Sequence, residues 1–106
     1  MQNSRSGEAK APYSDELNDV VDLPTMTTGA LNALGQDEDG FSVMIEGGAI
    51  DWAGHGNNPV RDIEETQDFN KSVDAAIKWV EENSSWEETL LVVTADHETG
   101  YLSGAN

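Results

Sequence analysis

Two short apolar runs bracket one long amphipathic stretch, and that order leaves few architectures open to this chain. In residues 41–46, Phe41, Val43 and Ile45 alternate with Ser42 and Met44, the period of a strand with one buried face. In residues 89–95, Leu90, Leu91, Val92 and Val93 follow one another, as in a strand covered on both faces. Between them Phe69, Val73, Ala76, Ile77 and Val80 form one stripe with Asp, Lys and Glu opposite. That spacing predicts an amphipathic helix over roughly residues 63–82, ended by Asn83, Ser84 and Ser85. Strand, helix, strand predicts a right-handed crossover and a parallel pair. The expected fold class is therefore α/β, a fragment of a parallel sheet with flanking helices.

The remaining segments fit around that unit. Residues 1–22 are polar, mix Ser, Gly, Pro and acids, and show no sustained period, so they are expected as a flexible arm ahead of a partial α/β domain over residues 23–106. Pro24 suits a first helical turn, Met26, Ala30, Leu31 and Leu34 recur at helical spacing, and Gly35 offers a stop, which predicts a short helix over 24–35. Residues 36–40 read as a turn, and residues 47–58, rich in Gly and Asn and closed by Pro59, as a loop whose backbone can approach a ligand closely.

With 106 residues there is room for one domain and one modest core. The formal charge of -16, from 21 acidic and 5 basic residues, argues against nucleic acid or an anionic membrane surface as partner and makes cations the natural ones. A solvated acidic surface suited to a saline habitat accounts for the acidity equally well. Absence of cysteine excludes disulfides, thiolate zinc sites and thiol nucleophiles. No stretch has the apolar length of a membrane span, and Met1 is not followed by the apolar core of a signal peptide.

Both apolar runs lead directly into side chains that bind metals. Ligands gather beyond the carboxyl ends of strands in open α/β sheets, so Glu46, Asp51, His55, Asp96 and His97 are expected to converge. Asp51 and His55 stand four apart, and one helical turn would place carboxylate and imidazole on one side to grip a divalent ion, zinc fitting the mixture best. A surface carboxylate beside a loop histidine has the same spacing. Glu46 offers a hard oxygen for magnesium or a general base for water, or simply caps the first run. Asp96-His97 is a weak signal alone and gains weight from its place at the end of an apolar run. Trp52 either lines a substrate cleft or packs; Trp79 and Trp86 read as core or edge residues. Glycines 47, 48, 54 and 56 match neither the P-loop nor the dinucleotide fingerprint. Arg61 is either a solvated residue at a helix start or a contact for an anionic substrate.

The segments VMIEGGAIDWAGHGN (43–57) and VTADHETG (93–100) together resemble two metal-site segments of bacterial alkaline phosphatases. The likeness covers about residues 41–104, including the intervening helix. It implies that Glu46 binds magnesium, that Asp51 and His55 bind one catalytic zinc, and that Asp96 and His97 bind the other. The family hydrolyses phosphate monoesters through a phosphoserine intermediate, with zinc activating the serine and steadying the leaving oxygen. The serine nucleophile, a further metal-binding aspartate, the threonine on magnesium and the phosphate-binding arginine belong to earlier segments of the family, and the histidine completing one zinc site to a later one. Two protein ligands per zinc is fewer than the usual three or four. The expectation is a metal-site fragment that is inactive alone, from a protein that is periplasmic or secreted as most family members are, and that self-associates if its strand edges stay exposed. Two alternatives remain: a non-catalytic acidic metal-binding module, and a sulfatase or phosphoglycerate mutase relative.

Overall fold

The computed structural model describes residues 11–14 and 18–101. Residues 1–10 and 15–17 of the expected arm lie outside the described residues, as do residues 102–106 at the other end. Three helices follow in order: α1 (Leu23–Leu34), α2 (Ala49–His55) and α3 (Pro59–Asn83).

Helix α1 starts where Asp22 Oδ1 accepts the Thr25 amide at 2.9 Å and Pro24 sits in the first turn, where no amide hydrogen is needed. It stops at Gly35, whose amide donates to the Leu31 carbonyl at 2.8 Å. Its buried face differs from the expected stripe. Thr27 and Leu31 are buried, whereas Met26 and Leu34 stay 39% and 37% exposed. Gly35 lies flat against the Trp79 ring: a Cβ there would come within 2.5 Å of Trp79 Cζ2. The Trp79 indole N–H donates to Asn32 Oδ1 at 2.9 Å, and Phe41 meets the same ring edge-on at a centroid distance of 5.9 Å.

Helix α3 begins four residues before the expected start. Asn58 Oδ1 accepts the Arg61 amide at 3.2 Å, and Pro59 takes the first helical position, so the Asn-Pro pair opens a helix instead of only closing a loop. The expected stripe supplies Ala76 and Val80 as buried residues, joined by Ser72, with Phe69, Val73 and Ile77 half-buried. The early turns bury charge: Arg61, Glu64 and Glu65 are all nearly inaccessible. Arg61 Nη1 donates to Glu64 Oε2 at 2.7 Å, and the Tyr13 amide donates to Glu64 Oε1 at 2.6 Å. The Tyr13 hydroxyl also donates to the Glu64 carbonyl at 3.2 Å, which lays residues 11–14 against α3. Arg61 is therefore neither solvated nor turned towards a substrate; it is committed to Glu64.

The α/β expectation does not hold. No strand forms among the described residues, and the fold is helical, with α1 and α2 each packed on α3 and not on one another. No backbone hydrogen bond among the described residues joins residues 41–46 to residues 90–98, and a strand is defined by its ladder partner. The apolar runs are correspondingly open to solvent: Met44 is 87% exposed, Leu90 86% and Val92 66%. Alternation survives only as a bias, since Ile45 is half-buried and Phe41 and Val43 are less exposed than Met44, at 40% against 87%. Among the described residues, Leu31, Ala76 and Val80 are the buried apolar side chains, and the Cα radius of gyration of 15.9 Å exceeds the roughly 13 Å of a compact 100-residue domain.

Two tests follow from these contacts. Glu64→Ala removes an acceptor of Arg61 and the acceptor of the Tyr13 amide. It is expected to lower stability by about 3–5 kcal/mol, enough to abolish the helical far-UV circular dichroism of a chain with so small a core; an unchanged spectrum and unfolding midpoint would show the buried pair to be dispensable. The Asp22 carboxyl is held below its ordinary value, first by hydrogen bonding from the Thr25 side chain and then by the Thr25 amide. A depressed carboxyl stabilises the fold above its unfolded value and loses that contribution as pH falls through the folded value. Asp22→Ala should therefore cost about 1 kcal/mol at neutral pH, with less difference from wild type in acid, whereas Asp22→Asn should keep the cap and flatten the acid dependence. Urea midpoints measured from neutral pH into acid check both variants.

Candidate metal centre

Residues 47–58, expected as a loop, contain the seven-residue helix α2, which carries Asp51 in its first turn and His55 in its last. The four-residue spacing places them one turn apart, as expected, with His55 Nε2 3.5 Å from Asp51 Oδ1. His55 is largely exposed and Asp51 less so. The second pair lies on the irregular segment after residues 89–95. The His97 amide donates to Asp96 Oδ1 at 3.1 Å, and His97 Nε2 lies 3.5 Å from Asp96 Oδ2.

The structure brings these two pairs together through a residue that the sequence does not single out. Thr99 Oγ1 donates a hydrogen bond to Asp51 Oδ1 and lies 3.3 Å from His97 Nδ1. Close backbone packing supports the bridge. Gly54 is buried, and a Cβ on it would fall 2.8 Å from the Thr99 carbonyl oxygen. Gly100 adopts φ +83°, a left-handed conformation that glycine takes without strain, and a Cβ there would meet the Gly54 carbonyl oxygen at 2.7 Å. The one hint in the sequence is the Thr-Gly pair just past the Asp-His pair; nothing in it couples that pair to Gly54.

Hydrogen bonding also sorts the two nitrogens of His97. Nδ1 lies 2.9 Å from the Glu98 carbonyl oxygen, which only accepts, so Nδ1 carries the hydrogen and Nε2 keeps the lone pair of the neutral ring. The Glu98 carbonyl, with the Asp96 carboxylate second, raises the His97 pKa above the ordinary imidazole value. A metal ion at Nε2 competes with that proton.

Glu46 does not join the other four. Its carboxylate folds over Gly48, where a Cβ would be 3.1 Å from Oε1, and it lines a separate pocket of about 130 Å³ with Leu23, Trp52, Glu65, Asp68 and Phe69. Trp52 is 77% exposed at the rim, so it is not a packed residue. Among the described residues, no three His, Asp or Glu side chains converge closely enough to hold one ion. Each pair supplies one carboxylate and one imidazole, a donor set that suits zinc in kind and fills half of its usual coordination. Arg61, Lys71 and Lys78 are ion-paired along α3 with Glu64, Asp68 and Glu82. No helix among the described residues is long and apolar enough to cross a membrane.

Comparison with known proteins gives the family. A family model described as alkaline phosphatase matches residues 11–106. Alkaline phosphatase 3 of Bacillus subtilis is 43% identical over 93 residues, 87% of this chain and 20% of the relative. Alkaline phosphatase 4 of the same organism is 40% identical over 101 residues, 94% of this chain and 21% of the relative. The alkaline phosphatase of Escherichia coli is 35% identical over 86 residues, 81% of this chain and 18% of the relative. The chain thus spans about a fifth of the length of these curated relatives. No solved structure gives a significant match. On the match across residues 11–106 and these identities, the chain belongs to the alkaline phosphatase family.

Proposed function

We propose that this chain carries metal-binding segments of a phosphate monoester hydrolase and is inactive alone. In this reading Asp51 and His55 hold one zinc ion, Asp96 and His97 hold a second, and Glu46 serves magnesium at the neighbouring pocket. The observation that carries it is the meeting of the two donor pairs through Thr99, although 41 positions of chain separate His55 from His97's neighbour Asp96. Family membership supports the substrate class. Periplasmic or secreted placement is part of the same proposal and rests on the family alone.

Electrostatics supports a need for metal. A phosphate monoester carries negative charge and approaches a chain of net charge -16. The lysine and arginine side chains among the described residues are held in ion pairs along α3. Among the described residues, positive charge at the donor pairs would therefore be supplied by bound cations. Divalent ions there would supply Lewis-acid stabilisation of charge on phosphoryl oxygens. The chain's own contribution is to present carboxylate and imidazole donors on two backbone segments held together. His97 does this by committing Nδ1 to the Glu98 carbonyl and leaving Nε2 to ligate.

Calorimetry on the metal-free chain tests the ligand assignment. Zinc is expected to bind weakly, with one class of site lost in the Asp51→Ala/His55→Ala variant and the other in Asp96→Ala/His97→Ala. Heats indifferent to both variants would mean diffuse attraction to an acidic surface and would end this reading. The chain alone should not turn over p-nitrophenyl phosphate with zinc and magnesium present, while the full-length protein should, losing at least about 100-fold with either pair removed. Sustained metal-dependent turnover by the chain alone would refute its proposed incompleteness.

A further inference from the structure

We infer that Thr99 is a positioning residue that aims Asp51 and couples the two donor pairs; the inference rests on the reading of Asp51 as a zinc ligand. The polarity of the contacts runs in one direction. His97 Nδ1 carries a hydrogen because it faces the Glu98 carbonyl, and the Thr99 oxygen lies within reach of that hydrogen at 3.3 Å. The Thr99 hydroxyl has a single proton, and it goes to Asp51 Oδ1, which as a carboxylate oxygen only accepts. The result is a chain from the imidazole N–H through the hydroxyl to the carboxylate. In it His97 keeps its Nε2 lone pair, and the Asp51 Oδ1 that accepts from Thr99 is also the oxygen 3.5 Å from His55 Nε2, so the hydroxyl fixes the carboxylate on the side of its paired imidazole.

The hydroxyl is held from behind. Gly54 on α2 touches the Thr99 backbone and side chain, where a Cβ would lie 2.8 Å from the carbonyl oxygen and 2.9 Å from both Cβ and Cγ2. Gly100 closes on the Gly54 carbonyl from the other side. Thr99 thus packs its Cβ and Cγ2 on Gly54 while its hydroxyl faces Asp51. A partner of this kind fixes the orientation of a ligand and raises its basicity. Serine would preserve the donor, and valine would preserve the shape while deleting it.

The test is zinc affinity of the full-length protein by chelator competition, with Thr99→Val, Thr99→Ser, Asp51→Asn and Asp51→Asn/Thr99→Val, each checked for native circular dichroism. Thr99→Val is expected to weaken zinc about 10- to 100-fold and Thr99→Ser to return it to the wild-type range. In the Asp51→Asn background, loss of the hydroxyl should have no further effect, because the partner through which it acts is already altered. Thr99→Ala serves in the same role if the valine variant is misfolded. Wild-type affinity in Thr99→Val beside weakened binding in Asp51→Asn would overturn the role of Thr99 and leave Asp51 as a ligand. Equal losses in the serine and valine variants, or full additivity with Asp51→Asn, would also overturn it. Unchanged affinity in Asp51→Asn would remove the ligand assignment and this inference together.

Discussion

Helix α3 is the surface on which the other two helices rest, and α2, which carries half of the site and receives the other half, is placed by where it meets that helix. Gly47 sits against the Phe69 ring, where a Cβ would be 2.8 Å from Cδ2, and this fixes the chain as it enters α2. Leu23 at the start of α1 reaches the same pocket as Phe69, and the end of α1 rests on Trp79. Few apolar side chains are fully buried, so the usual hydrophobic driving force is small, about 1.5–3 kcal/mol for Leu31 and similarly for Val80. Ionic and polar contacts consequently matter more here than in a larger core. The Arg61–Glu64 pair, with the Tyr13 amide as third partner, meets the condition under which buried charge is tolerated: both Glu64 oxygens accept a hydrogen bond.

The same pairing determines what the acidic surface can attract. Lys71 and Lys78 are held by Asp68 and Glu82 on their own helix, and such exposed pairs add little stability. Their effect is to place the described positive charge along α3, while the α2 end and the 96–101 segment carry Asp51, Asp96 and Glu98. Cations are drawn to that end and anions are not. Bound divalent ions would reconcile an acidic surface with the phosphate ester of the proposed reading, which ties metal binding to the proposed chemistry.

Period and motif carried unequal amounts of this information. The α3 stripe was readable because Phe69, Val73, Ala76, Ile77 and Val80 keep helical spacing; its first turns were not, because they bury Arg61, Glu64 and Glu65, residue types ordinarily left in water. In α1 the helix was readable and its inner face was not, since Thr27 takes an inward position in place of Met26. The alternation in residues 41–46 indicates which side chains lean inward, and carries no information about whether a neighbouring strand is there to complete a ladder. Asp51 and His55 were readable as a pair because four residues make one helical turn, even though the surrounding segment looked like a loop. Glu46 stood in the same motif and settled in a different pocket, because motif adjacency does not fix side-chain direction across the Gly47-Gly48 turn.

What joins the donor pairs is a backbone contact in place of the expected sheet. Parallel strands would have brought residues 46–55 and 96–97 together by ladder hydrogen bonds, and no such ladder forms among the described residues. Gly54 and Gly100 do it instead, each lacking the Cβ that would hold the other segment away. The Tyr101 amide donates to Glu98 Oε2 at 3.1 Å, which curls the segment so that Thr99 faces α2. This geometry makes the side-chain bridge depend on two glycines rather than on the apolar runs. Residues 90–93 are exposed while the bridge is formed, so the meeting of the two donor pairs does not rest on burial of that run.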